Sequence, residues 1–317
     1  MVQVLRETTS EYQYFISQLL AGVSADMGEE YSIRIFKVTK NNSLELDSLV
    51  LQKEGKNFAP NIYLQPYYEA YRQGVSITEL VSRLCDIYRS SGDAIVDEKF
   101  NYTYEDMKPH IIYRLVSYER NSKLLARIPH VRYLDLAITY HCLVRSDEDG
   151  IGTIRITNEH MKNWKVQLSQ LQEVAAYNTQ RLFPFSIRSM DEVIRGMLEE
   201  ELAAKGEEAV QGLEVMDSSG STKERKMYIL SNSKGINGAS CLLYHNVLHD
   251  FSEYVQSDFY IFPSSIHELI LVPSPDLKSS KEYADMVRDI NETQVAAEEV
   301  LSDHVYFYSR TEGLTLL

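Results

Sequence analysis

Cysteine and long apolar runs are scarce in this sequence, and both absences narrow the class of protein. Cys85, Cys142 and Cys241 are the three cysteines among 317 residues, and they form no CxxC pair. Such a set is typical of reduced thiols in a cytoplasm and not of a disulfide framework. No apolar stretch approaches the roughly 18 residues that cross a bilayer, and no signal-peptide pattern opens the chain. We therefore expect a cytoplasmic protein without a membrane partner.

Basic residues are also in short supply. Lys and Arg number 32 against 46 Asp and Glu, which gives a formal net charge of -14 at pH 7. A general nucleic-acid binder needs a surplus of basic side chains to displace counterions from phosphates, so no nucleic-acid partner is expected. The acidity fits ordinary solubility, or a surface that imitates nucleic acid to block a DNA-handling protein, and the sequence leaves both interpretations open.

Known catalytic and cofactor motifs are missing as well. The sequence contains no HExxH, no paired-cysteine zinc pattern, no EF-hand loop, no kinase signature and neither of the glycine-rich nucleotide fingerprints. We therefore expect no cofactor. The hydrophobic fraction of 44% and the charged fraction of 25% are those of an ordinary folded protein, so a substantial core is expected.

The clearest structural pattern lies in residues 227–272. A short apolar run at 227–230 ends in a Ser/Asn/Gly cluster and predicts a strand. Residues 239–255 carry an apolar residue at every fourth position, which predicts one amphipathic helix. Residues 259–262 and 269–272 flank a Pro-Ser-Ser sequence and predict an antiparallel hairpin. The stretch therefore predicts a βαββ unit.

The rest of the chain predicts elements of the same kind, and the expected fold class is α+β, with antiparallel hairpins packed on helices. Residues 1–100 predict an N-terminal helix, hairpin and helix region. A first βαββα unit is expected at 101–206 and a second at 227–317, separated by a linker or mobile loop at 207–226 that is rich in Glu, Gly and Ser. The repeated order of elements indicates a duplicated unit, although residue identity between the two copies is low.

Several stretches resemble one known family. They are Asn61-Ile62-Tyr63-Leu64, Leu134-Asp135-Leu136-Ala137, Gly238-Ala239-Ser240, Asp258-Phe259-Tyr260-Ile261, Pro263-Ser264-Ser265-Ile266-His267-Glu268 and Val300-Leu301-Ser302-Asp303-His304-Val305-Tyr306. In these the chain resembles an uncharacterised bacterial domain-of-unknown-function family, and the resemblance covers nearly the whole chain. The resemblance implies a cytoplasmic protein of anaerobic gut bacteria, often encoded near mobile genetic elements, and it implies no particular activity.

The catalytic candidates are Ser265, His267, Glu268 and Asp303. On a strand, Ser265 and His267 share a face while Glu268 points the other way, so a Ser/His nucleophile pair oriented by the Asp303 carboxylate is one hypothesis. The alternative is a turn in which the serines bond to backbone and His267 is an ordinary hairpin residue. The sequence lacks the GxSxG elbow, which favours the turn.

His245 and His249 are the candidates for metal ligands. With Cys241 they recur every four residues, so on a single helix they would form one stripe. Three ligands on a straight helix span about 12 Å, too far for one zinc ion to bind all three. The hypothesis is therefore a two-ligand site completed from elsewhere in the chain, and the alternative is a pair of solvent-exposed histidines.

Tyrosine is abundant, with 22 residues, and Tyr63, Tyr67, Tyr68 and Tyr71 form a local cluster that suits either a protein interface or the edge of a core. Together with the acidity and the missing motifs, the cluster favours a non-catalytic protein-interaction or regulatory protein whose partner is another protein. The alternative is a hydrolase, metal-dependent or of the Ser/His type, with its site on the helix and hairpin of residues 238–272.

Overall fold

The computed structural model describes residues 10–53, 61–91, 103–147, 150–205, 226–274 and 280–317. The chain divides into two compact units. The first contains residues 1–107 and 144–153, and the second contains residues 108–143 and 154–317. Both units combine helices with antiparallel sheets, which confirms the α+β class. The duplication stays a prediction, and nearly all of the expected linker at 207–226 lies outside the described residues.

The first unit contains a small sheet and helices that cover it. Its elements are α1 (Ser10–Met27), β1 (Tyr31–Thr39), β2 (Glu45–Lys53), β3 (Ile62–Tyr63), α2 (Gln65–Arg72), α3 (Ile77–Ser91) and α4 (Tyr104–Met107). The sheet order is β1-β2-β3, and all its pairs are antiparallel. Phe15, Leu19 and Val23 recur at helical spacing on α1 and are fully buried, so one face of this helix forms part of the core.

The second unit contains the remaining elements. They are β4 (Ile111–Ser117), α5 (Ser122–Leu125), β5 (His130–Tyr133), β6 (Leu136–Asp147), β7 (Gly150–Arg155), α6 (Asn158–Trp164), α7 (Leu168–Leu182), β8 (Phe185–Ser189), α8 (Met190–Lys205), β9 (Tyr228–Asn232), α9 (Val247–Val255), β10 (Phe259–Pro263), β11 (Leu269–Pro273), α10 (Ser280–Thr293), β12 (Tyr306–Ser309) and β13 (Gly313–Leu316). The end of β6 and the beginning of β7, within residues 144–153, belong to the first unit.

Two sheets organise these elements. In one, β6 pairs with β4, β5 and β7. The other has six strands in the order β13-β12-β10-β11-β9-β8. The predicted hairpin is confirmed, because β10 and β11 pair antiparallel with Pro263 opposite Leu269. The strand predicted at 227–230 is also confirmed, since β9 pairs with β11 inside the larger sheet.

The prediction of a single helix over residues 239–255 is wrong. A 3-10 helix (Gly238–Leu243) comes first, and α9 begins at Val247. Asn246 between them has a φ of 61°, in the left-handed region that asparagine tolerates better than most residues. Tyr244 fixes the break, because its buried hydroxyl donates to the carbonyl oxygen of Phe183 at 2.8 Å. The four-residue periodicity thus continues across a bend that it does not reveal.

Candidate functional site

An open groove with a volume of about 460 Å³ lies at the β8 end of the six-stranded sheet. Phe185, Ile187 and Ser189 alternate along β8, so they present the same face of the sheet to the groove. Among the described residues, those that line the groove are Phe185, Ile187, Ser189, Asp191, Glu192, Lys226, Tyr228, Val247, Asp250, Phe251 and Tyr254. The groove is therefore formed by two strands, the beginning of α8 and the length of α9.

The outer edge of β8 carries backbone groups that point away from the sheet. Ser233 N–H donates to Pro184 O, and Met190 N–H donates to Met227 O, both at 2.8 Å. In an antiparallel pair the backbone groups alternate between facing the partner strand and facing away from it. The N–H and C=O groups of Phe185 and Ile187 therefore face away from β9. Among the described strands, β8 is the end of its sheet, so this edge is available to another strand.

Aromatic rings form one wall of the groove. The Tyr228 ring lies 5.1 Å from that of Phe251 and 6.4 Å from that of Tyr254, nearly perpendicular to the latter. Phe251 is only 3% exposed and packs edge-on against Phe259, which anchors α9 to the sheet. Tyr254 is 75% exposed and Phe185 is 48% exposed. The wall thus has a rigid base and aromatic faces open to solvent.

Negative charge surrounds these rings. Asp191, Glu192 and Asp250 line the groove together with Lys226, which is the one basic residue among the described part of the lining. Burial, the neighbouring Tyr254 and the charge of Glu192 raise the pKa of Tyr228 above its usual value. The Tyr228 hydroxyl therefore stays protonated near neutral pH, and the carboxylates give the groove a net negative charge.

The sequence analysis did not single out this groove, because it did not predict β8 or α8. One signal was present. Ser189 and Glu192 form a reciprocal cap, in which Glu192 Oε2 accepts the Ser189 N–H at 2.9 Å and Ser189 Oγ accepts the Glu192 N–H at 3.3 Å. The Ser-x-x-Glu pattern is the usual sequence sign of such a cap and could have located the beginning of α8.

The catalytic candidates Ser265, His267 and Glu268 lie in the connection between β10 and β11. Ser265 Oγ accepts the backbone N–H of His267 at 3.0 Å, and Ser264 Oγ donates to Glu268 Oε1 at 3.2 Å. The Nδ1 atom of His267 accepts the Asn237 N–H at 3.2 Å. These contacts match the turn interpretation, in which the polar side chains order the backbone.

The carboxylate facing His267 is not the one expected. Glu299 Oε1 lies 3.6 Å from His267 Nε2. Asp303 instead accepts Arg120 Nη2 at 2.7 Å and Asn291 Nδ2 at 2.9 Å. Burial opposes ionisation of Asp303, but the hydrogen bonds and charges of its partners outweigh it and hold the pKa of Asp303 below its usual value. The structure therefore does not place Asp303 as the orienting group for His267.

A second polar cluster surrounds Asp135, in the turn between β5 and β6. Its carboxylate accepts Ser302 Oγ at 2.6 Å and the Tyr306 hydroxyl at 2.7 Å, and His304 Nδ1 lies 3.4 Å away. Leu134, the preceding residue, has a φ of 55°. Two of the stretches that carry the family resemblance meet here. Their contacts join the four-stranded sheet that contains β6 to the segment before β12.

The metal-ligand candidates do not share a helix. His245 precedes α9 and His249 lies within it, and both are exposed. Cys241 is buried in the 3-10 helix, where its Sγ contacts Ser231 O. Because Asn246 turns the chain between these residues, the stripe assumed from the spacing does not exist. Across the ranges that the structure describes, no group of three or more His, Cys, Asp or Glu residues is arranged to hold a metal ion.

The tyrosine cluster belongs to the first unit and forms part of its core. Tyr68 is 3% exposed, and its ring lies 4.9 Å from that of Tyr12. Tyr67 and Tyr71 are partly buried against the same core. Tyr63 lies beneath Lys40, whose Nζ is 4.0 Å from the ring centroid. Packing at the edge of a core explains these residues, and Tyr68 cannot contact a partner without unfolding.

Comparison with known proteins places the whole arrangement in one family. A family model described as a family of unknown function (DUF5688) matches residues 12–310. No match was found among curated proteins or among solved structures. Within the described ranges, no helix combines the length and apolar character needed to cross a membrane.

Proposed function

The chain belongs to this family of unknown function, and since the family supplies no activity, we propose from the groove that the protein is a non-catalytic binding protein. Its partner is an extended segment of another protein, which adds to the outer edge of β8. The single observation that carries the proposal is the open edge of β8 beside a groove with aromatic and acidic walls.

Backbone geometry supports this mode of binding. A docked strand would find the outward N–H and C=O groups of Phe185 and Ile187 at the spacing of a sheet ladder. Main-chain bonds give such complexes affinity, and alternate side chains entering pockets give them specificity. Phe185, Ile187 and Ser189 face the groove, so every second side chain of the docked strand would lie beside it.

The side chains around the groove also suit a partner. Phe185 and Tyr254 are large, exposed aromatic residues close to a buried base, and aromatic anchors dominate the binding energy of many interfaces. A volume of about 460 Å³ falls within the usual range of pockets that bind a small molecule. The groove can therefore accept one or two side chains of the partner.

The proposed location is the cytoplasm. All three cysteines are free and buried. Burial raises the pKa of the Cys142 and Cys241 thiols to about 12, so neither forms a reactive thiolate near neutral pH. Unpaired cysteines of this kind suit a reducing compartment.

The geometry does not favour the hydrolase alternative. The Nδ1 atom of His267 already accepts a backbone N–H from Asn237, and its Nε2 atom faces Glu299. The Ser265 oxygen accepts the backbone N–H of His267. A serine nucleophile needs its hydroxyl on a ring nitrogen of the histidine, and these contacts point the groups elsewhere.

A proline substitution tests the proposal. Ile187→Pro removes an N–H that faces away from β9, so the existing ladder stays intact while the docking edge loses a donor. The matched control is Leu316→Pro on β13, the opposite edge of the same sheet, because the bond from Leu317 N to Val305 O shows that the Leu316 N–H also faces outward.

Peptides selected from a random display library against the full chain provide the readout. We expect Ile187→Pro to weaken their binding at least about tenfold, measured by fluorescence polarisation, and Leu316→Pro to leave it unchanged. Failure to select any peptide, or equal weakening by both prolines, would overturn the proposal. Thermal unfolding of each variant checks that the sheet is retained.

A further inference from the structure

The groove beside β8 combines two features that each attract positive charge. One is the set of carboxylates from Asp191, Glu192 and Asp250, opposed by Lys226 alone among the lining residues that the structure describes. The other is the pair of nearly perpendicular rings of Tyr228 and Tyr254. The face of an aromatic ring carries negative electrostatic potential, so both features favour a cation.

Neighbouring groups leave this negative field in place. Glu253, one turn from the groove on α9, is neutralised by Arg310, whose Nη2 lies 2.8 Å from its carboxylate. Asp250 is exposed, and burial together with the charge of Asp250 raises the pKa of Tyr308. The negative charge of the groove therefore comes from the carboxylates of its own lining, Asp191, Glu192 and Asp250.

The shape of the groove favours a long side chain over a bare ion. Val247 and Phe251 on α9 form an apolar base, and the carboxylates lie on α9 itself (Asp250) and at the beginning of α8. Lysine and arginine pack their apolar stems along such surfaces while the charged end reaches polar groups. Arginine fits better, because its planar guanidinium stacks on an aromatic ring and donates to more than one carboxylate.

We propose that the groove is a recognition pocket for an arginine side chain of the docked partner segment. The proposal rests on the function proposed above and specifies the chemistry of its partner. The guanidinium stacks on the exposed ring of Tyr254, beside the perpendicular ring of Tyr228, and pairs with Asp250 and the carboxylates at the beginning of α8. The net charge of -14 on the whole chain draws such basic segments towards the protein.

The test compares peptides that differ at one residue. For each peptide selected on the full chain, every arginine is replaced in turn by lysine or by citrulline, which keeps the shape of arginine and removes its charge. We expect one arginine per peptide whose change to citrulline weakens binding at least about tenfold, with lysine in between. Selected peptides without arginine, or equal binding of the citrulline forms, would overturn the proposal while leaving strand addition at β8 intact.

Protein variants identify the pocket. We expect Asp250→Asn to abolish most of the difference between arginine and citrulline peptides, and Tyr254→Leu to reduce it about threefold. Glu282→Gln, an exposed carboxylate in the first turn of α10, is the control and should change nothing. If Glu282→Gln weakens binding as much as Asp250→Asn, general acidity and not this pocket selects arginine.

Free agmatine, a small guanidinium compound, separates the two proposals. Weak competition by agmatine, together with loss of peptide binding in Ile187→Pro, supports both. If agmatine binds as tightly as the best peptide and Ile187→Pro does not change peptide binding, the groove is a guanidinium pocket. The proposal that a protein segment docks on β8 is then wrong.

Discussion

Gly238 begins the 3-10 helix (Gly238–Leu243) and has neighbours packed closely around its Cα atom. A Cβ added there would overlap Ser231 Oγ and His267 O and would lie 2.8 Å from Asn232 N. Two of these contacts are with backbone atoms that cannot rotate away. The close approach is used by the chain, because Ser231 Oγ donates to His267 O at 2.8 Å and so joins β9 to the connection after β10.

We therefore expect Gly238→Ala to lower the free energy of unfolding by roughly 1–3 kcal/mol, through overpacking of a filled site. Urea titration followed by circular dichroism measures the change. Gly196→Ala is the matched control, since a Cβ at this position on α8 meets no heavy atom within 4 Å. Removing a glycine from a helix interior should stabilise the control by about 0.5–1 kcal/mol. Equal effects at the two positions would contradict the packing argument.

At the scale of the element, the backbone groups of successive residues in β8 point to opposite sides of the strand. The carbonyl of Pro184 and the N–H of Met190 both bond across to the segment that contains β9, and Arg188 lies an even number of residues from each. The N–H of Arg188 therefore also faces β9, while the N–H of Ile187 faces away. The two adjacent residues therefore differ in the role of their backbone, although both lie in the same strand. This difference follows from the alternation of hydrogen bonds in antiparallel pairs.

The direction of these two N–H groups can be tested by measurements of stability alone. Arg188→Pro removes an N–H from the ladder and should cost about 1–3 kcal/mol, because the carbonyl of Ile229 loses its donor. Ile187→Pro should cost less than about 1 kcal/mol at an outward-facing edge position. Unfolding of both variants in urea gives the comparison. If Ile187→Pro proves the more damaging of the two, the N–H of Ile187 faces β9 and not outward. The proposed docking edge would then be wrong.

At the scale of the molecule, distant segments meet at carboxylates. Asp135 accepts from Ser302, 167 residues along the chain, and Asp303 accepts from Arg120, 183 residues away in the opposite sense. Both contacts join the region of the four-stranded sheet that contains β6 to the segment that leads into β12. Carboxylates in such positions make the stability of the fold depend on pH.

The Asp303 contribution has a definite sign. Its pKa in the folded chain lies below the unfolded value of about 3.9, so the ionised form stabilises the fold above that pH. The stabilisation is lost as the pH falls through the lower, folded pKa. We expect Asp303→Asn to reduce the free energy of unfolding near neutral pH, and the difference from wild type to vanish in strong acid. A difference that grows on acidification would contradict this sign.

Local patterns were sufficient for the class of fold and for many of its elements. The spacing of Phe15, Leu19 and Val23 and the alternation around Pro263 are set by the periods of the helix and the strand, and the structure contains α1 and the β10–β11 hairpin. The sequence also predicted a turn containing Ser265 and His267 as the simpler interpretation, because short polar side chains after a proline bond to nearby backbone.

The sequence by itself thus determined the α+β character, which depends on residues close together in the chain. Only the tertiary structure decided the bend at Asn246, the meeting of Asp135 with Ser302, and the groove between β8 and α9. Each of these depends on contacts between segments far apart in sequence, or on a backbone conformation fixed by such contacts. Periodicity contains no record of those contacts, since it reports which face of an element is buried and not what covers it.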